Sequence, residues 1–210
     1  TFVGPPPAVL AAAFAAARTA AERIDMSRHR GAHPRIGAMD VCPFVPVSGA
    51  SMEDCVGLAR ALGKRVGREL KIPVYLYERA ASRLARTSLS AVRAGEYEAL
   101  PARLNDPAWK PDFGPSTFNP GTGAFVIGAR EFLIAYNVNL DTEDANVAHE
   151  IARDVRSSGR VLKNAEGGIV RDASGASVKV PGRLRAVRAI GWRLEGYRQA
   201  QVSINLVNTS

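Results

Sequence analysis

His29 and His33 fall within five positions of each other, in a stretch that also carries Arg28, Arg30, Arg35 and Asp40. Residues of these types, so closely spaced, suit proton transfer on an anionic substrate. An imidazole changes charge near neutral pH, so it can accept a proton and return it. A guanidinium presents a planar fork of donors that matches a carboxylate or a phosphate. Asp40 can orient an imidazole or pair with an arginine. Arg35 and, much further along, Arg130 are candidate anion anchors on the same grounds. On chemistry alone His29 and His33 stand as equals. The third histidine, His149, falls in a helical pattern where an exposed or capping role suits it better.

The elements around this stretch must deliver it as a loop. Gly31 and Pro34 preclude a long regular helix through residues 25–34, and the apolar run at 36–47 predicts a strand directly after it. Upstream, three prolines lead into a helix over 8–24, with Leu10, Phe14, Ala17, Ala21 and Ile24 on one face. Downstream, Ser51 and Asp54 have capping-box spacing for a helix reaching to residue 70. Its core face would be Cys55, Leu58, Ala59, Leu62, Val66 and Leu70, and a short strand over 72–77 follows. Helix and strand alternate, which predicts a layered α/β domain.

Short helices are expected over 79–104, with a break at 93–97. Residues 105–123 form the longest irregular stretch and carry Trp109, Phe113 and Phe118. A long loop with aromatic content reads as a binding loop rather than a disordered one. The second half predicts a strand over 132–140, then a helix over 143–156 capped by Asp141 and Thr142, with Val147, Ile151 and Val155 on its apolar face. A surface hairpin over 159–182 and two strands, 184–194 and 199–207, complete it. The domain division expected from this pattern is 1–128 and 129–210, each an α/β (α+β) layer with a sheet flanked by helices.

Composition narrows the class. The chain has 210 residues, 46% hydrophobic and 23% charged, as for a soluble globular protein. No apolar run is long enough to span a bilayer; neither a membrane partner nor a signal peptide is expected. Cys42 and Cys55 lack the partners for a metal site and read as buried small hydrophobes in a reducing, cytoplasmic setting. The formal charge of +8 asks for an anionic partner. The basic residues are scattered and no nucleic-acid motif accompanies them, which favours an anionic metabolite over nucleic acid.

The stretch DMSRHRGAHPRIGAMDVCPFVPV at 25–47 strongly resembles the signature region of the glutamate formimidoyltransferases. Further segments extend the resemblance in order: TFVGPP at 1–6, PVYLYE at 73–78, RAGEYEALPARL at 93–104, PDFGPS at 111–116, GAREFLIAYNVNL at 128–140, PGRLRAVRAIGW at 181–192 and QAQVSINL at 199–206. The resemblance implies two α/β subdomains flanking an electropositive tunnel. It implies transfer of the formimidoyl group from N-formimidoyl-L-glutamate to N5 of tetrahydrofolate, a co-substrate that can bear a polyglutamyl tail, with no metal and in a homodimer. The alternative is a folate-binding paralogue or fragment without transferase activity.

Residue by residue, the resemblance makes His33, in the His-Pro-Arg element, the general base. It makes Gly114, Pro115, Ser116, Thr117, Phe118, Asn119, Pro120, Gly121, Thr122 and Gly123 the folate-contacting loop. Asp154, Val155 and Arg156 become a second folate contact, and His29, Arg35, Asp40 and Arg130 remain candidate substrate contacts. The family's first β-α-β stretch is expected to precede residue 1, and more of the second subdomain to follow residue 210.

Overall fold

The computed structural model describes residues 1–30 and 34–207. The chain divides into two compact units, Thr1–Arg130 and Glu131–Ser210.

In the first unit, helix α1 spans Pro6–Arg23. Pro5 caps it and Pro6 and Pro7 occupy its first turn, where a missing N–H costs nothing. It buries Ala13, Phe14 and Ala17, while Ile24 ends it in extended conformation and stays largely exposed. Strand β1 is Val41–Phe44, shorter than the apolar run at 36–47 suggested. The shortening has a backbone cause: residues 36–38 pair instead with the loop around residue 123, through a bridge between Gly37 and Gly123.

Helix α2, Met52–Arg65, starts with the expected capping box: Asp54 N–H donates to Ser51 Oγ at 3.1 Å and Ser51 N–H to Asp54 Oδ2 at 2.8 Å. A π-helical turn at Val66–Leu70 extends it, and Lys71 ends it in the left-handed region at φ 56°. Its face buries Cys55, Ala59, Leu62 and Val66. Strand β2 (Val74–Glu78), short helices α3 (Leu89–Val92) and α4 (Leu100–Asn105), and strand β3 (Phe125–Ala129) follow.

The three strands form a parallel sheet in the order β1-β3-β2. β3 is its centre and is buried along its whole length. Sequence reasoning missed it. A five-residue apolar run buried on both faces shows no alternation to mark it as a strand. Its core packs in two groups, one on each face. Phe14, Phe44, Leu62 and Ile127 lie with α1 and α2, whereas Tyr75, Tyr77, Leu100, Leu104 and Val126 lie with α3 and α4.

In the second unit, β4 (Ile134–Asn139), β7 (Val187–Leu194) and β8 (Gln199–Leu206) make an antiparallel sheet in the order β4-β8-β7. β5 (Arg160–Val161) and β6 (Lys179–Val180) form a separate two-stranded hairpin. Helix α5 spans Ala145–Val155 and is capped by Asp144, whose Oδ1 accepts Asn146 N–H at 2.8 Å, not by Asp141 or Thr142.

The expected buried face of α5 also needs correction: Val147 and Ile151 are 43% and 37% exposed, and Ala148 and Ala152 are buried instead. Small residues win that face because the helix lies almost on the sheet backbone. A Cβ on Gly191 of β7 would stand 2.2 Å from the carbonyl carbon of Ala148. Among the described residues, no helix is long and apolar enough to cross a membrane.

Candidate functional site

The histidine-bearing stretch starts with a side-chain-locked turn. Ser27 donates to Asp25 Oδ1 from its N–H at 3.0 Å and its hydroxyl at 2.7 Å, which holds the Asp25 carboxyl below its usual range. Met26 is buried and its N–H donates to Gly121 O at 2.9 Å. His29 is exposed, with its N–H donating to Met26 O. His33 lies outside the described residues.

Residues 34–40 form a strap that the loop at 119–124 receives edge-on. Ala124 N–H donates to Ile36 O at 3.0 Å and Ala38 N–H to Thr122 O at 2.9 Å. Two glycines make this approach possible. A Cβ on Gly37 would stand 2.0 Å from Ala124 O, and one on Gly123, at φ +64°, would stand 2.3 Å from Ile36 O. The strap and the loop at 119–124, read separately in the sequence, are therefore one piece of structure. Phe118 packs on Tyr97 with ring centroids 5.5 Å apart, and Tyr97 hydroxyl donates to Pro120 O at 2.7 Å.

The same loop is anchored at its start by Asp112. Its N–H donates to Val74 O, its Oδ2 accepts Leu76 N–H at 2.7 Å, and it pairs with Arg86 at 3.2 Å. Arg86 is buried and also donates to Lys110 O at 2.7 Å. Gly114 follows at φ +81° and passes so close to Ile72 O that a Cβ would stand 2.2 Å away. Pro115 is half-buried and Ser116, Thr117, Asn119 and Pro120 are exposed, so the stretch presents polar and backbone groups outward from a fixed base.

Arg35 and Asp40 both have protein partners. The Arg35 guanidinium reaches Glu96 at 3.0 Å and Glu98 at 2.7 Å, and the Glu98 bonds raise its already high pKa. Asp40 Oδ1 accepts Ile36 N–H at 2.9 Å and Oδ2 accepts from Arg93. The partners Arg93, Glu96 and Glu98 were not singled out by sequence reasoning, although RAGEYEALPARL contains them. The signal available was that motif block, more than fifty residues from the strap. Arg130 ends the first unit beside Tyr77, whose hydroxyl burial pushes up to about 12 while the Arg130 bond opposes the rise.

Asp154, Val155 and Arg156 lie in the second unit, at the end of α5. Asp154 pairs with Arg160, Arg156 Nε donates to Gly159 O at 2.8 Å, and a Cβ on Gly182 would strike Arg156 O. His149 is exposed on the same helix. Among the described residues, no three His, Cys, Asp or Glu side chains converge as a metal site would require.

Family comparison accounts for both units. Residues 1–130 match the model of the formiminotransferase domain, N-terminal subdomain, and residues 135–210 match that of the formiminotransferase domain. The chain belongs to the formiminotransferase family. It is 51% identical over 208 residues to the formimidoyltransferase-cyclodeaminase of Mus musculus, covering 99% of this chain and 35% of that protein. It is 45% identical to the glutamate formimidoyltransferase of Thermoplasma acidophilum and 40% identical to that of Streptococcus pyogenes, covering 62% of each. The chain thus spans about a third of the first relative and about three fifths of the other two.

Proposed function

We propose that this chain transfers the formimidoyl group from N-formimidoyl-L-glutamate to N5 of tetrahydrofolate, a step of histidine degradation, in the cytoplasm. The observation that carries the reading is the backbone pairing of residues 36–38 with residues 122–124, which ties the strap after His33 to the loop proposed to bind folate. Family membership over both units and the names of the relatives support it independently.

In the proposed reaction the N5 lone pair attacks the amidine carbon of formimidoylglutamate. His33 takes the proton that N5 sheds. The carbon–nitrogen bond to glutamate then breaks, and the same imidazole returns the proton so that glutamate leaves as an amine. A positioned base and acid of this kind contributes roughly 10²–10⁴-fold. Residues Gly114, Pro115, Ser116, Thr117, Phe118, Asn119, Pro120, Gly121, Thr122 and Gly123 would hold folate, aided by Asp154, Val155 and Arg156. Pterin suits an aromatic and backbone-rich surface. The net charge of +8 draws in the carboxylates of both substrates, including a polyglutamyl tail. Arg130 would supply a further positive charge for one of them.

The test is tetrahydrofolate-dependent loss of formimidoylglutamate by the chain, compared with His33→Ala. We expect the variant to lose kcat by about 10²-fold or more while folate affinity changes little. Wild-type turnover in His33→Ala would remove the general-base assignment. Folate binding with no turnover in the parent chain would instead identify a folate-binding member without transferase activity.

A further inference from the structure

We propose that Asp40, Arg35, Arg93 and Glu96 are positioning residues that fix the strap after the catalytic histidine, and that Arg35 does not hold substrate. The proposal rests on the reading of His33 as the base.

Asp40 closes the strap on itself and onto the opposite segment. One carboxylate oxygen takes Ile36 N–H at 2.9 Å and the other takes Arg93. Arg35, one residue earlier, is held at both ends: Tyr97 N–H donates to its carbonyl at 2.8 Å, and Glu96 and Glu98 take its guanidinium. The Arg35 side chain is only 11% exposed and its guanidinium carbon lies 5.8 Å from the Tyr97 ring centroid. Residue 35 is thus pinned at main chain and side chain by a segment some sixty residues away, and the residue 36 main chain is tied to the same segment through Asp40 and Arg93. His33 is two residues upstream of that pinned point.

Charge excludes the anchor role. Arg35 and Arg93 face three carboxylates, Asp40, Glu96 and Glu98. A substrate carboxylate would have to displace one of these from a half-buried bidentate pair and would meet the others at close range, which is unfavourable.

The frame also carries strain. Glu96 sits at φ 56°, ψ −158°, a region almost reserved for glycine. Nε of Arg35 and Nε of Arg93 are buried without a partner among the described residues. Such features persist where surrounding contacts over-determine them, and they gather at functional sites. Glu96 holds its unfavourable backbone while aiming its carboxylate at Arg35.

The deciding variant is Glu96→Gly, which relieves the backbone and removes one carboxylate from the frame; Asp40→Asn and Arg35→Gln accompany it. We expect Glu96→Gly to keep or raise the thermal midpoint yet lower kcat about tenfold or more, with both KM values within about twofold. Nitrogen-15 NMR titration of the histidines supplies a readout that needs no turnover. The His33 signal should move in Glu96→Gly and Asp40→Asn, while exposed His149 stays as in the parent chain. Unaltered kcat with an unaltered His33 titration would overturn the proposal. So would a tenfold rise in the formimidoylglutamate KM of Arg35→Gln at unchanged kcat, which would make Arg35 an anchor. A parent chain with no transferase activity would defeat the proposed function alone, and the His33 titration would still decide the positioning role.

Discussion

Asp112 shows how one side chain sets the reach of a loop. It is 8% exposed and accepts bonds from Leu76 N–H, Ser82 and Arg86, and Arg86 is itself 1% exposed. Asp112→Ala would leave a buried guanidinium without its counter-charge, although the carbonyls of Ala108 and Lys110 still accept from it. Removing one member of such a pair costs about 3 kcal/mol, and urea denaturation should show that loss as a lower midpoint. Folate affinity should fall with it, because Gly114 and the rest of the proposed binding loop begin two residues later. None of these partners was legible in the sequence. PDFGPS marked the stretch, but pairing Asp112 with Arg86 needs the tertiary fold that brings residues 76, 86 and 112 together. The same holds for Asp40 and Arg93: the sequence offered Asp40 as a candidate and gave no reason to choose its partner.

At the scale of elements, local rules succeeded where the contacts are local. The capping box of α2 was readable because Ser51 and Asp54 are three residues apart. It also makes α2 sensitive to acid. The Ser51 N–H, and then its hydroxyl, hold the Asp54 carboxyl below its usual range. A depressed folded pKa gives stability that is complete above the unfolded value and is lost as pH falls through the folded one. Asp54→Asn should therefore melt below the parent chain at pH 7, and the gap should close as pH drops below about 4. A gap that persists unchanged at pH 2 would mean that packing, not the charged cap, is what Asp54 contributes. Two elements escaped local rules for opposite reasons. β3 is buried on both faces, so its periodicity is silent. α5 has a periodic apolar stripe that faces outward, because Gly191 admits only the alanine face and leaves Val147 and Ile151 exposed.

At the scale of the whole chain, the two units differ in how much they bury. The largest fully buried side chains, among them Tyr75, Tyr77, Phe125, Leu62 and Ile127, all belong to the first. The second rests on Ala148, Ala152, Ala189, Ala200 and Val202, and leaves Ile134 and Tyr136 of β4 50% and 61% exposed. Burying a large apolar side chain is worth roughly 1.5–3 kcal/mol, several times the contribution of an alanine methyl. The second unit should therefore unfold first, and the chain should depart from two-state behaviour. Each unit holds one of the two tryptophans, so each can report on itself. Trp109 lies under the Arg103 guanidinium at 3.6 Å in the first unit, and Trp192 donates to Gln201 at 3.0 Å in the second. In Trp109→Phe, the remaining Trp192 fluorescence should change at a lower guanidinium concentration than Trp109 fluorescence does in Trp192→Phe. Coincident midpoints would mean that the units unfold together, and that the small alanine core of the second is stabilised by more than its own side chains.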